Sequence, residues 1–103
     1  MKKVKVYVNE DYAGDLIEVT KIKSYRFEYL PDYKGMSVSM TMPLSKRVYE
    51  YDRFPPFFEG LLPEGRMKEA LLQRAKLDED DLFEQLIRVG QEMVGNVTVK
   101  RGK

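Results

Sequence analysis

The apolar residues change their spacing partway along the chain, and that change restricts the fold more than any other feature. Up to Met42 they recur at every second position, whereas from Phe54 onward they recur at every third or fourth. In "KVKVYVN", Val4, Val6 and Val8 alternate with Lys3, Lys5 and Tyr7, the pattern of a strand with one buried face. "NEDYAG" supplies turn chemistry before "DLIEV", which predicts a hairpin over residues 3–19. "SYRFEYL" sets Tyr25, Phe27 and Tyr29 against Ser24, Arg26 and Glu28. "SVSMTM" sets Val38, Met40 and Met42 against Ser37, Ser39 and Thr41. These predict a third and a fourth strand, joined across "PDYKG". Charged and small polar residues on the other face suit an antiparallel sheet with one solvated side, so the inner side needs a cover.

The second half provides that cover. In "FPPFFEGLLPEGRMKEALL", Phe54, Phe57, Phe58, Leu61 and Leu62 form one helical stripe, with Pro55 and Pro56 placed where a first turn tolerates them. Leu62 precedes a proline and is biased out of the helical region, which ends this helix. Pro63 then opens a second helix, with Glu64 near its positive end and Met67, Ala70 and Leu71 on its apolar face. In "LDEDDLFEQLIRVG", Asp78 is the expected N-cap, Leu82, Phe83, Leu86, Ile87 and Val89 face the core, and Gly90 stops the helix. The predicted helices cover about 55–61, 63–76 and 79–89, and "MVGNVTVK" turns into a last strand over 96–100 with Val97 and Val99 inward. The expected fold class is α+β in the order β-β-β-β-α-α-α-β. A small, curled antiparallel sheet of about five strands, within residues 3–42 and 96–100, is covered by three helices in a single domain, 1–103.

Composition narrows the chemistry. Eighteen Lys and Arg against seventeen Asp and Glu leave a net charge of +1, which announces neither nucleic acid nor an anionic membrane as a direct partner. No window approaches the roughly 18 apolar residues of a membrane span, and "MKKVKVYVNED" lacks the apolar block of a signal peptide, so a cytoplasmic location is expected. With no Cys and no His, thiolate zinc sites, Ser/His or Cys/His nucleophiles and imidazole acid–base chemistry are all removed. No phosphate-cradling glycine loop and no kinase signature occurs. The chain is expected not to be an enzyme and to need no cofactor.

The remaining candidates each have a structural explanation beside the functional one. Asp78, Glu79, Asp80 and Asp81 are carboxylates in sequence, but they lack calcium-loop spacing and fit helix capping instead. Lys2, Lys3, Lys5, Lys100, Arg101 and Lys103 form a basic patch if the first and last strands are neighbours, and lysines also guard sheet edges. The seven tyrosines suit either an interface or the rim of a core. Gly60 and Gly65 call for an unusual dihedral or a close backbone approach. Arg66 falls at an exposed helix start, from which a long side chain reaches a partner.

"VYVNEDYAGDL", "MSVSMTMPL", "FPPFFEGLLPEG" and "VGQEMVGNVTV" together resemble, in order from about Val4 to Val99, the N-terminal subdomain of the HipA family of serine/threonine kinase toxins. The block F-F-x-G-L-L-P-E-G is the most specific part. "G-Q-E-M-V-G" is similar to the family's G-R-D-x-x-G segment, with Gln91 and Glu92 in place of Arg and Asp. The resemblance implies a role beside a kinase rather than as one. A chain running only from Met1 to Lys103 resembles the split arrangement, in which a small antitoxin, HipS, accompanies a shortened kinase, HipT, and a DNA-binding protein, HipB. It implies that this chain docks beside the kinase cleft and inhibits it, with a HipB-like protein as a further partner. The expected contact residues are Glu64, Gly65, Arg66 and Met67, with Phe58 and Glu59 from the preceding helix. An aromatic residue after Pro-Glu-Gly would be a steric plug; Arg66 points instead to pairing with a kinase carboxylate. The alternative is a non-inhibitory structural or activating subunit that bridges the kinase to the repressor.

Overall fold

In the computed structural model, which describes residues 2–90 and 96–101, the sheet is built from five strands: β1 (Lys2–Val8), β2 (Asp11–Thr20), β3 (Ser24–Tyr29), β4 (Val48–Tyr51) and β5 (Val97–Arg101). The helices are α1 (Pro56–Glu59), α2 (Gly65–Ala75) and α3 (Leu82–Gly90). Spatial order is β4-β3-β2-β1-β5, and each neighbouring pair runs antiparallel. The hairpin, the third strand and the last strand thus form where the alternation predicts. Val4, Val6, Val8, Tyr25, Phe27, Tyr29, Val97 and Val99 are buried on the inner face. β5 lies against β1, with Lys5 opposite Lys100.

The predicted fourth strand at 37–42 does not form. That segment lies in a connection between β3 and β4, and the fourth strand is "VYEY", residues 48–51. The Tyr29 hydroxyl explains the difference: it donates to the Met42 carbonyl at 2.5 Å and accepts the Val38 N–H at 2.9 Å. Tyr33 donates to the Met36 carbonyl at 2.6 Å, and the Met42 N–H closes a turn on Ser39 at 3.0 Å. Backbone groups held this way cannot join a ladder. Val38 and Met42 still point into the core, but Met40, also expected inward, is 96% exposed. The sheet resumes where the Tyr29 N–H donates to the Arg47 carbonyl.

Aromatic contacts fasten the cover to the sheet. Phe58 of α1 meets Phe27 with ring centroids 5.8 Å apart, and Tyr25 meets Phe54 at 5.2 Å and Phe83 at 6.3 Å. Phe83, Leu86 and Ile87 form the buried face of α3, and each large apolar side chain so buried contributes roughly 1.5–3 kcal/mol. The N-cap of α3 differs from the expected Asp78. Asp81 is buried and its carboxylate accepts the Glu84 N–H at 3.2 Å, so the helix begins at Leu82. The turn before it is closed from behind by Gln85, whose amide donates to the carbonyls of Asp78 and Glu79, each at 3.0 Å. Gly90 is the last residue of α3, and the substituted segment with Gln91 and Glu92 lies outside the described residues.

Candidate functional site

Glu64 through Met67 stand where the chain leaves α1 and enters α2. After α1, the Leu61 and Leu62 N–H groups donate back to Phe58 and Glu59, both at 3.1 Å, and the buried Leu62 anchors the connection. Glu64 is extended (φ −125°, ψ 165°) and makes no side-chain cap to α2. Gly65 then takes φ +60°, a left-handed conformation that suits glycine. A Cβ built there meets nothing within 4 Å. The dihedral therefore explains this glycine. Gly60, by contrast, has an ordinary helical conformation (φ −66°, ψ −14°), and a Cβ there would meet only the Phe57 and Pro56 carbonyl oxygens at ordinary van der Waals distances of 3.4 and 3.6 Å, so neither reason applies to it.

Of the six expected contact residues, five are at the surface. Glu59, Glu64, Gly65, Arg66 and Met67 are exposed, Met67 by 73% although the helical pattern also placed it on the apolar face of α2. Phe58 is fully buried against Phe27 and belongs to the core, which removes it from any contact surface. Its place in the sequence motif reflects packing. Only Leu71 of α2 is buried, so this helix is attached along a narrow line and leaves most of its circumference to solvent.

A groove that the sequence reading did not anticipate runs beside this helix. It has a volume of about 530 Å³, and its apolar lining includes Leu61, Leu62, Pro63, Met67, Leu71 and Val89. Arg74 of α2 and Arg88 of α3 also line it, and no acidic residue does. Among the described residues, the ion pairs are Lys2–Glu84, Lys3–Asp15, Arg26 with Glu28 and Glu50, and Lys68–Glu79, so Arg66, Arg74 and Arg88 form none. Three guanidinium groups with no ion pair among the described residues, on two adjacent helices, favour a partner that carries carboxylates. The signal was present in sequence only as arginines near an apolar stripe; their convergence depends on how α3 packs behind α2.

The other sequence candidates are taken up by structural roles. Lys2 pairs with Glu84, and that hydrogen bond holds the Lys2 ammonium above its usual pKa; Lys3 reaches Asp15 at 3.8 Å. Lys5 lies over the Tyr12 ring and Lys100 over the Tyr7 ring, at 5.4 and 5.0 Å. Lys103 lies outside the described residues. Asp81 caps α3, and among the described residues no three His, Cys, Asp or Glu side chains gather as a metal site would require. Among those residues, too, no helix is long and apolar enough to cross a membrane.

Comparison with known proteins agrees with the architecture. The solved N-terminal domain of HipA toxin superposes with a TM-score of 0.79 at 27% identity, covering 100% of this chain and 94% of that one. An uncharacterized protein of Haemophilus influenzae strain Rd is 31% identical over 99 residues, which is 96% of this chain and 92% of that protein. The family described as HipA N-terminal domain matches residues 4–100. That match takes in the β1–β2 hairpin, the helical cover and β5, and on it the chain belongs to the HipA N-terminal domain family.

Proposed function

We propose that this chain is a HipS-like antitoxin, which binds a shortened HipA-like serine/threonine kinase of the HipT type and inhibits it by docking beside its active-site cleft. The observation that carries this reading is the α1–α2 connection. In a domain of the HipA family, it projects Glu64, Gly65, Arg66 and Met67 into solvent beside a helix with only one buried residue. The kinase supplies all the chemistry. This chain supplies surface and charge: Arg66, which has no ion pair among the described residues, pairs with an acidic group of the kinase, and water is excluded around that pair by Met67. A HipB-like DNA-binding protein completes the assembly, with contacts to DNA made by that protein.

The test is co-expression with the shortened HipA-like kinase from the same operon, reading growth and co-elution on a sizing column. Growth rescue together with a stable complex is the expected result. Co-elution with undiminished toxicity would instead make the chain a non-inhibitory or activating kinase subunit, and no complex at all would remove the kinase as its partner.

A further inference from the structure

We infer that the groove between α2 and α3 receives an amphipathic helix of the partner kinase, with apolar residues on the floor and carboxylates opposite Arg74 and Arg88. This inference rests on the kinase-docking reading and adds a second contact, distinct from the exposed turn at Glu64–Arg66, together with the chemistry of the segment that occupies it.

The shape of the groove selects a helix. Met67, Leu71 and Ala75 recur at i, i+4 and i+8 along α2, and all three line the groove. At 1.5 Å per residue that stripe is roughly 12 Å long, which matches two turns of a partner helix lying alongside. α3 contributes Arg88 and Val89 to the lining, and the α1–α2 connection contributes Leu61, Leu62 and Pro63. A strand is less suited, because the groove walls are helix side chains and offer no free row of backbone N–H and C=O groups to pair with.

Charge selects the flanks of that helix. Arg74 on α2 and Arg88 on α3 both line the groove, both are exposed, and neither has an ion pair among the described residues. An uncharged apolar helix would desolvate them without recompense, and a basic one would be repelled. A helix with an apolar stripe bordered by Asp or Glu satisfies both requirements. A second copy of this chain fits less well: the apolar residues of its α2 that line the groove are flanked by Arg66 and Arg74, so a second α2 would bring arginines against Arg74 and Arg88.

The experiment uses the purified kinase complex. Met67 reports whether the kinase covers this surface at all, because it lines the groove beside the turn and is 73% exposed, while Met36 and Met40, at 64% and 96%, lie outside it. Arg74 and Arg88, which the turn contact does not use, assign the cover to the groove. Dilute peroxide followed by mass spectrometry should show Met67 oxidised at least about tenfold more slowly in the complex than in the free chain, with Met36 and Met40 unchanged. The R74E/R88E double variant should weaken kinase binding by at least about tenfold, whereas R74K/R88K should retain most of it. Both arginines are exposed, and a circular dichroism spectrum like the parent's establishes that each variant is folded. A complex that R74E/R88E forms as tightly as the parent would overturn the groove assignment and leave the docking reading standing, whether or not Met67 is protected. No complex with the parent chain would overturn both. Concentration-dependent dimerisation of the free chain that protects Met67 would also overturn the inference, assigning the groove to a second copy.

Discussion

The hydroxyl of Tyr29 joins two backbone groups that lie four residues apart, donating to the carbonyl of Met42 and accepting the N–H of Val38. Tyr29 is itself only 4% exposed, at the end of β3. Tyr29→Phe keeps the ring and removes both bonds, which leaves an unpaired N–H and an unpaired carbonyl in a place with little access to water. The expected loss is about 1–3 kcal/mol. It should appear in urea unfolding as a lower midpoint with an unchanged slope. A midpoint equal to the parent's would mean that water replaces the hydroxyl at no cost.

The N-cap assignment separates two neighbouring acids. Asp81→Ala removes the carboxylate that accepts the Glu84 N–H and should destabilise the chain by about 1 kcal/mol. Asp78→Ala should have an effect within about 0.5 kcal/mol, because Asp78 contributes its carbonyl rather than its carboxylate to Gln85. Thermal melts of the two variants side by side decide the matter, and equal losses would return the cap to Asp78.

The two glycines of the α1–α2 connection should respond in opposite directions. Gly65→Ala forces a side chain into φ +60° and should cost about 1–2 kcal/mol, although space for the methyl is free. Gly65→Asn, a residue that tolerates this region, should cost less. Gly60→Ala places the methyl in an ordinary helical conformation and should be neutral or stabilising by about 0.4–1 kcal/mol, since the unfolded chain loses freedom. Urea midpoints for all three variants check the ordering.

Much of this architecture was legible in the sequence. Alternation located β1, β2, β3 and β5 because each is half-buried, and there period two follows directly from the pleat. It misplaced the fourth strand because Val38 and Met42 enter the core from a connection tied down by Tyr29, a long-range hydrogen bond that spacing cannot reveal. "VYEY" carries a weak form of the same signal, with Tyr49 and Tyr51 half-buried on an edge only four residues long. At the candidate site the exposed turn was legible from Pro-Glu-Gly-Arg. Burial of Phe58 was implied by the helical stripe, which makes a residue of that stripe a poor surface contact. The groove was not legible, since Arg74 and Arg88 come to line one groove only through the packing of α3 against α2.

Alkaline pH should unfold the chain through its buried tyrosines. Burial, with the carboxylates of Glu18 and Asp81 adding to it, pushes Tyr25 up to about 12 from an ordinary 10.0. Glu18 is its direct register partner on β2. Burial also raises Tyr29, Tyr33 and Tyr51. A group whose folded pKa lies above its unfolded value stabilises the fold fully below the unfolded value and loses that contribution as the pH climbs through the folded one. The window for Tyr25 is therefore about pH 10 to 12. Tyrosinate absorbance and circular dichroism should change together across it. Absorbance that rises near pH 10 while the fold persists would mean that only exposed tyrosines titrate there.

Arg66 tests the interface at a single side chain. It is exposed at the first turn of α2 and has no ion pair among the described residues, so Arg66→Ala and Arg66→Asp should each change stability by no more than about 0.5 kcal/mol. Binding should behave differently. If the guanidinium meets a kinase carboxylate away from water, truncation leaves that carboxylate unpaired, and reversal adds repulsion to it. Inhibition should then weaken by at least about tenfold for Arg66→Ala and further for Arg66→Asp, with the deficit shrinking as salt is raised. A uniform loss in both variants, insensitive to salt, would indicate that the aliphatic stem rather than the charge makes the contact. Full neutralisation by both would move the inhibitory contact off Arg66 and onto its exposed neighbours Glu64 and Met67.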